Sequence, residues 1–266
     1  MSDKYQRQSF LGKGSQLKIE RAKVGVVGLG GGGSHIVQQL AHIGFQDYVL
    51  FDPQTVEDTN LNRLVGATLK DIGNEKRLVA QRLIKGLQPK SKILIVADRW
   101  QNQPQPLAFC DFIIGCLDTF RDRDEIETFC RHNLILYVDI GMDIHQWESD
   151  PPRMAGQIIL SAPGTPCMKC LGFITPDRLA HEAAQYGAAG PRPQVVWPNG
   201  ILASTAVGLA VNALTGWVGK FPAPVYLSYD GNLGLVGVHP CIEYLQSNVC
   251  EHYPFEKIGK PIIQPL

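Results

Sequence analysis

Five short apolar runs in the first half of the chain alternate with segments of helical periodicity. The runs lack polar alternation, which is typical of strands that are buried on both faces of a parallel sheet. They lie at 24–27, 48–51, 93–97, 112–115 and 134–138, and the helical patterns lie at 34–43, 75–87, 104–109 and 122–132. This alternation predicts a Rossmann-like, doubly wound α/β fold whose ligands gather at the carboxyl ends of the strands.

The pattern changes after Asp139, in the second half of the chain. Residues 155–161 alternate as in an antiparallel strand, and the polar stretch 175–193 is predicted to be a loop. The small apolar residues of 202–217 favour a buried helix, and the runs 225–229 and 233–238 favour a hairpin. We therefore expect antiparallel strands to extend the parallel sheet of the first half.

Composition limits the classes of function that need to be considered. The 266 residues are 44% hydrophobic, enough for one large α/β domain, and 25 basic residues balance 25 acidic ones. A net charge of zero gives no electrostatic argument for binding nucleic acid or a membrane surface. The first residues lack the apolar core of a signal peptide, and no run approaches the roughly 20 apolar residues of a membrane span. We expect a cytoplasmic protein.

The junction at 24–33 contains the most informative local motif. An apolar strand leads into five glycines among six positions, in which Gly28, Gly30 and Gly33 match the G-x-G-x-x-G spacing and Gly31 lies in the same turn. Asp52, at the end of the next strand, supplies the acidic residue expected about 20 positions later. These features predict a nucleotide site, and the glycine motif alone leaves an NAD(P)-dependent oxidoreductase open as an alternative.

Further polar residues follow the predicted strands and could converge on the glycine turn. Arg63 and Lys76 could neutralise a polyphosphate, and Asn60 precedes Arg63 in the same short segment. Asp118 could hold Mg²⁺, which prefers few carboxylates together with phosphate oxygens. A hydride-transfer site would need no magnesium ligand, so the set favours a polyphosphate nucleotide bound with Mg²⁺.

A series of motifs runs in order through most of the chain, and the set is far more specific than any one motif. It comprises Tyr5-Gln6-Arg7-Gln8, the glycines 28–33 with Ser34, Asp52, Asn60-Leu61-Asn62-Arg63, Asp71-Ile72-Gly73 with Lys76, Cys116-Leu117-Asp118, Ala155-Gly156-Gln157 and Cys167-Met168-Lys169-Cys170. In this set the chain resembles the HesA/MoeB/ThiF superfamily, the adenylating enzymes related to eukaryotic ubiquitin-activating enzymes.

The resemblance implies roles for these residues. Asp52 would bind the ribose of ATP, Asn60, Arg63 and Lys76 the phosphates, and Asp118 the magnesium ion. Arg7 matches an arginine that reaches the ATP site of a neighbouring subunit, which implies a homodimer. The chain would form a single adenylation domain, with a nucleotide-binding half at 1–140, a protein-substrate half at 141–266 and a crossover loop at about 175–198.

The implied reaction is attack by a carboxylate on the α-phosphorus of ATP, giving an acyl-adenylate and pyrophosphate. The carboxylate is normally that of the C-terminal glycine of a ubiquitin-like or sulfur-carrier protein, and a conjugating or sulfur-transfer enzyme could act downstream. Charge neutralisation and alignment should supply most of the acceleration. A superfamily relative that activates a modified base on tRNA is a second alternative, against which the zero net charge argues.

The cysteines and one departure from the family pattern complete the prediction. Cys167 and Cys170 form a C-x-x-C pair, and with Cys241 and Cys250 they are predicted to hold a structural Zn²⁺. Relatives usually have a second C-x-x-C, whereas here the later spacing is C-x8-C, so His239 or His252 could replace one thiolate. Residues 171–240 contain no cysteine that could form a thioester or persulfide, so we expect the chain to stop at adenylation. Leu64 occupies a position where the family usually has glutamine.

Overall fold

A computed structural model describes residues 3–145, 150–184, 193–219, 225–245, 247 and 249–254. Its centre is one eight-stranded sheet with the order β3-β2-β1-β4-β5-β6-β7-β8. The first five strands are parallel, and β6, β7 and β8 are added antiparallel, as the pattern of apolar positions predicts. The bounds are β1 Lys23–Val27, β2 Asp47–Phe51, β3 Lys92–Val96, β4 Phe112–Gly115, β5 Leu136–His145, β6 Arg153–Ser161, β7 Val225–Asp230 and β8 Leu235–Val238.

Helices cover both faces of this sheet. The α-helices are α1 Ser15–Arg21, α2 Gly31–Ile43, α3 Lys76–Leu87, α4 Phe120–His132, α5 Pro176–Ala184 and α6 Val196–Thr215. Short 3₁₀ segments lie at Asp3–Leu11, Asp58–Asn60, Leu69–Asp71, Trp100–Asn102, Gln105–Phe109 and Pro240–Tyr244. The fold class predicted from the sequence is confirmed.

The polar stretch 175–193 differs from the prediction of a loop. Its first part is the helix α5, which begins at Pro176, a position where proline costs no helix hydrogen bond. None of the α5 residues is fully buried, and Leu179 alone packs on the core as a partly buried apolar side chain. Its charged and small residues give α5 the composition of a loop, which is why a polar stretch predicts a loop here although its few apolar residues recur with helical periodicity. Residues 185–192 of the predicted loop lie outside the described residues.

The core consists of two apolar layers, one on each face of the sheet. Successive residues of β1 point to opposite layers: Val24 and Val26 pack with α2 and α6, whereas Val27 packs with residues of α4. This two-sided burial explains why β1, β2 and β4 appear in sequence as continuous apolar runs. The prediction is wrong for β3, which lies at the edge of the sheet and leaves Leu94 exposed. Because β1, β2, β4 and β5 are parallel neighbours, their carboxyl ends lie together along one side of the sheet.

Within the described ranges, no helix combines the length and the apolar character that crossing a bilayer requires.

Candidate active site and metal cluster

A cleft with a volume of about 460 Å³ lies at the carboxyl ends of the parallel strands. It brings together the residues predicted for the nucleotide site from widely separated parts of the sequence, with the exception of Gly33 and Arg7. The predicted residues that line it are Gly28, Gly30, Gly31, Asp52, Asn60, Arg63, Lys76 and Asp118.

The glycine turn forms the floor of the cleft. Gly28 has a φ of 88°, and a Cβ there would run into the carbonyl oxygen of Cys116. A Cβ at Gly33 would collide with the Gly28 carbonyl, so Gly33 serves the closure of the turn and does not line the cleft. Gly30 has open space in front of it, and α2 begins at Gly31. Bare backbone and the N-terminus of a helix therefore face the cleft, an arrangement that favours anions.

Asp52 is held rigidly at the end of β2. Only 4% of the residue is exposed, and its carboxylate oxygens accept hydrogen bonds from the backbone N–H of Leu29 (2.7 Å) and of Gln54 (2.8 Å). Burial raises the pKa of Asp52, and the two backbone hydrogen bonds and Lys76 oppose that shift. Each oxygen keeps a further lone pair that could accept a hydroxyl from a ligand.

Lys76 and Asn60 are buried polar residues on the same side of the cleft. Lys76 begins α3, and its Nζ donates to the Gln54 side-chain oxygen at 2.6 Å. The Asn60 side-chain oxygen accepts from the Glu57 backbone N–H at 3.2 Å, which fixes the turn at Asp58–Asn60. Both groups are thus oriented before any ligand binds.

Arg63 is half-buried and reaches the cleft from the turn that follows Asn60. Its Nη1 donates to the Thr59 carbonyl at 2.6 Å and to the Asn62 side-chain oxygen at 2.9 Å. The neighbouring Leu64 is buried against Val56 and Val79. At this position the chain has an apolar contact where the family usually has the amide of a glutamine.

Asp118 follows β4, is exposed and lines the opposite side of the cleft. Its charge is close enough to act on Asp52, whose pKa it raises. Thr119 then caps α4, because its hydroxyl accepts the Asp122 backbone N–H at 3.0 Å. The cap places Asp118 directly beside the N-terminus of a helix.

The structure adds a buried ion pair that the sequence reasoning missed. Arg123 of α4 pairs with Asp139 of β5, and it also donates to the carbonyl of Leu117 beside the cleft. Asp139 accepts further hydrogen bonds from Tyr137 (2.9 Å) and Gln157 (3.3 Å). Asp139 could have been predicted as a site residue from its position at the end of a predicted strand, because ligands bind at the carboxyl ends of the strands in this fold class.

Two further groups of cleft residues were missed. Arg99, Trp100 and Gln101 line the cleft immediately after β3, and strand-end position could have suggested them. Asn199 lines it from the first turn of α6 and packs against Gly31. No local signal identifies Asn199, because its approach to the glycine turn depends on the packing of α6 on α2.

The structure does not bring Arg7 into the cleft of its own chain. Arg7 is exposed in the segment Asp3–Leu11, which contacts the far ends of α2 and α3. Gln8 donates to the Ile43 carbonyl and Lys4 to the Leu87 carbonyl, both at 2.8 Å. These contacts lie at the ends of the helices remote from the cleft, and a helix of 13 residues is about 20 Å long.

A second cluster joins the C-x-x-C pair to residues near the C-terminus. Potential ligand atoms of Cys167, Cys170, Cys250 and His252 all lie within 4.8 Å of one another. Cys170 Sγ is 3.7 Å from Cys167 Sγ and from Cys250 Sγ, and His252 Nδ1 is 3.6 Å from Cys167 Sγ and 3.3 Å from Cys170 Sγ. Tetrahedral Zn²⁺ with ordinary bond lengths would require about 3.8 Å between sulfurs and about 3.6 Å between sulfur and nitrogen. The four residues therefore fit a zinc ion.

The structure corrects the predicted four-cysteine set. Cys241 lies outside the cluster and packs against the apolar layer that contains Tyr226. The alternative His239 is also elsewhere, stacked on the Tyr226 ring with centroids 4.1 Å apart. His252, the other alternative left open by the sequence, occupies the fourth position.

A buried ion pair supports the loop that carries the C-x-x-C. Arg131 of α4 donates to the carbonyls of Thr165 (2.9 Å) and Pro166 (3.1 Å). Glu127 accepts the backbone N–H of Met168 at 3.0 Å. Because α4 begins beside Asp118, one rigid helix connects the cleft with the loop that carries two of the four clustered residues.

Comparisons with known proteins agree with this architecture. The sequence model of the ThiF family matches residues 2–248. A SAMP-activating enzyme E1 from Haloferax volcanii is 29% identical over 200 residues, covering 73% of this chain and 71% of its own. A sulfur carrier protein adenylyltransferase from Thermus thermophilus is 28% identical over 237 residues, covering 86% and 83%.

A solved structure of E. coli MccB with AMPCPP and MccA superimposes with a TM-score of 0.74. It is 18% identical and covers 90% of this chain and 71% of its own, so it supports the fold alone. The family match, by contrast, extends over almost the whole sequence and includes every strand, the glycine turn and the C-x-x-C pair. The chain belongs to the ThiF family.

Proposed function

We propose that this chain adenylates the C-terminal carboxylate of a ubiquitin-like or sulfur-carrier protein, consuming ATP and releasing pyrophosphate. One observation carries the proposal: the glycine turn, the cationic side chains of Arg63 and Lys76 and the carboxylate of Asp118 converge in one cleft. Arg63 and Lys76 supply positive charge, and Asp118 is placed to hold a cation against phosphate oxygens. Family membership and the names of the two relatives support the same reaction class.

The residues predicted for the nucleotide site have distinct roles in this proposal. The backbone at Gly30 and the N-terminus of α2 receive phosphate oxygens, and Asp52 accepts the ribose hydroxyls. Asn60, Arg63 and Lys76 contact the phosphates, while Asp118 holds Mg²⁺. Magnesium would supply charge neutralisation of the leaving pyrophosphate.

The attacking group needs no general base, because a carboxylate is ionised at neutral pH. Its approach to a polyanion is unfavourable unless the phosphate charge is neutralised, which is the task of Arg63 and Lys76. The wall formed by Gly141, Met142 and Asn199 belongs to the second half of the chain and would receive the tail of the protein substrate. We infer that 1–140 binds the nucleotide and 141–266 the protein substrate.

The position of Arg7 supports a proposed homodimer. Since Arg7 lies at the far end of α2 from its own cleft, it could complete an ATP site only in a second copy of the chain. A shared site of this kind makes each subunit depend on its partner for full charge neutralisation.

We further propose that Cys167, Cys170, Cys250 and His252 bind a structural zinc ion. Four protein ligands close the coordination sphere, which is the arrangement of structural rather than catalytic zinc sites. Because 171–240 contain no cysteine, adenylation is the last step assigned to this chain, and a separate conjugating or sulfur-transfer enzyme would act next.

The test is incubation with ATP, Mg²⁺ and a panel of purified ubiquitin-like and sulfur-carrier proteins. The expected product is a carrier heavier by one AMP in intact-mass measurement, together with carrier-dependent exchange of labelled pyrophosphate into ATP. Arg63→Ala and Asp118→Ala should each lower the exchange at least a hundredfold, by analogy with loss of one transition-state contact. Arg21→Ala, an exposed arginine on α1, is the matched control.

Neither alternative from the sequence is favoured by the family match. The same samples test them directly, since bound NAD(H) would identify an oxidoreductase and AMP transfer to bulk tRNA would identify a tRNA-modifying relative. Full exchange activity in Arg63→Ala and Asp118→Ala would refute the adenylation mechanism.

A further inference from the structure

The segments on either side of residues 185–192 both contact residues beside the nucleotide cleft. These two segments, here called the crossover ends, are α5 with residues 176–184 and the segment 193–199 that enters α6. Each makes polar contacts with residues that immediately neighbour the predicted phosphate or magnesium ligands. One contact joins the Glu182 carboxylate to the start of α4, which follows β4. The other joins the amide of Asn62, which follows β2, to the carbonyl of Gln194.

The first crossover end is fastened through Glu182. Its two carboxylate oxygens accept the backbone N–H groups of Phe120 (2.8 Å) and Arg121 (3.0 Å), the first two residues of α4. These are charge-assisted bonds at the positive end of a helix of 13 residues, an arrangement that strengthens both. Asp118 lies only two positions before Phe120.

Further contacts hold α5 on the same surface. Arg178 donates to the Phe173 carbonyl at 2.7 Å, and its guanidinium lies over the Phe120 ring at 5.5 Å. Leu179 packs against the apolar layer beneath. Since α5 contributes no fully buried residue, these few contacts and Glu182 determine its position.

The second crossover end is fastened through Asn62. The Asn62 side-chain N–H donates to the Gln194 carbonyl at 3.0 Å, while the oxygen of the same amide accepts from Arg63. Asn199 extends the contact into the glycine turn, where a Cβ at Gly31 would approach its side-chain nitrogen to 2.7 Å. Gln194 and Asn199 both line the cleft.

We propose that Glu182 and Asn62 are positioning residues that hold the crossover ends against the cleft and thereby preform the wall that receives the protein substrate. This inference rests on the proposed function, because it assigns the wall to the substrate tail. If Glu182 or Asn62 is replaced, the wall is no longer ordered in advance. Binding of the carrier must then order it, at a free-energy cost that weakens carrier binding. Glu182 hydrogen-bonds to none of the proposed ATP ligands, so its removal should change the affinity for ATP little.

The experiment compares hydrogen–deuterium exchange of the full chain and its variants, with and without Mg²⁺ and AMPCPP. Glu182→Ala should speed exchange in 176–184 about tenfold, and Asn62→Ala should do the same in 193–199, the change expected for about 1.4 kcal/mol. Glu182→Gln keeps an oxygen acceptor and should restore part of the protection. Glu243→Ala, an exposed residue of the 240–244 turn, is the control and should leave both segments unchanged.

A second readout separates positioning from general destabilisation. With a carrier identified by AMP transfer, Glu182→Ala and Asn62→Ala should each raise the KM for that carrier about tenfold. In Glu182→Ala, kcat and the Kd for ATP should stay within about twofold, whereas Asn62→Ala also removes a hydrogen-bond acceptor of Arg63 and is not used for that comparison. An unchanged KM for the carrier in either variant, or an equal loss of ATP affinity in Glu182→Ala, would overturn the proposal, as would wild-type rates of hydrogen–deuterium exchange in 176–184 and 193–199.

The proposed function fails in a different way. If wild-type protein transfers AMP to no carrier, the assignment of the wall to a protein tail falls with it. The exchange measurements with AMPCPP need no carrier, so they decide whether Glu182 and Asn62 hold the crossover ends.

Discussion

The identity of the fourth ligand in the metal cluster gives the sharpest contrast between the sequence pattern and the structure. The sequence pattern suggests a set of four cysteines, Cys167, Cys170, Cys241 and Cys250. The structure leaves Cys241 out and groups the remaining three cysteines with His252. We predict that His252→Ala disrupts metal binding and that Cys241→Ser, the matched control, leaves it intact.

The expected magnitude follows from the closed geometry of the cluster. Structural zinc in a four-ligand site contributes about 10–16 kcal/mol of apparent binding free energy, so one ligand accounts for about 3 kcal/mol. His252→Ala should therefore weaken zinc binding about a hundredfold. Because binding is coupled to folding of the loop at 162–170, the melting temperature should fall as well.

The assay is zinc content per chain by elemental analysis after dialysis against a competing chelator of graded strength. Wild-type protein and Cys241→Ser should retain one zinc per chain at a chelator concentration that empties His252→Ala. Thermal unfolding with and without chelator provides the second readout, and the chelator should lower the melting temperature of wild type and Cys241→Ser alike.

The reverse result would refute the reasoning. If Cys241→Ser loses its zinc and His252→Ala keeps it, the ligand set is the one suggested by cysteine spacing and the cluster geometry is misleading. Wild-type protein purified with no zinc and insensitive to chelators would show that the four residues do not bind the metal.

Three further predictions concern stability, pH and assembly. Arg131→Met removes the cation beside the buried Glu127 and should cost about 3–5 kcal/mol in urea unfolding; a loss below about 1 kcal/mol would contradict this. A hydrogen bond from Arg82 lowers the pKa of the Asp71 carboxyl in the folded protein. The pair therefore stabilises the fold at pH values above the unfolded-state pKa of about 3.9, and this stabilisation disappears as the pH falls through the lower folded-state pKa. Arg82→Ala should thus cost about 0.5–1 kcal/mol at pH 7 and almost nothing once Asp71 is protonated in both states, and equal losses at both pH values would exclude this coupling. Arg7→Ala and Asp118→Ala should each be inactive alone, and mixing the two proteins should restore activity, because a heterodimer contains one intact site with Asp118 from one subunit and Arg7 from the other. Absence of activity in a demonstrated heterodimer would argue against a shared ATP site.

Local patterns were sufficient for much of the fold. Both-face burial makes β1, β2 and β4 continuous apolar runs, and the glycine turn needs its residues at fixed spacing because side chains there would collide with backbone. Strand-end positions then marked Asp52 and Asp118 as neighbours, since parallel strands present their carboxyl ends at one edge. Interactions of this kind are encoded within a few residues or by the rules of a doubly wound sheet.

Other features depend on contacts between residues far apart in the chain. The exchange of Cys241 for His252 in the metal cluster, the approach of Asn199 to Gly31 and the capping of α4 by Glu182 arise from how loops pack after the sheet has formed. Cysteine spacing cannot distinguish residues 241 and 250–252, because their positions depend on long-range contacts, such as the stacking of His239 on Tyr226 and the hydrogen bond between Tyr253 and Thr128 of α4. Periodicity and motif spacing therefore predicted where the chemistry collects, whereas the choice of partner at each long-range contact required the assembled fold.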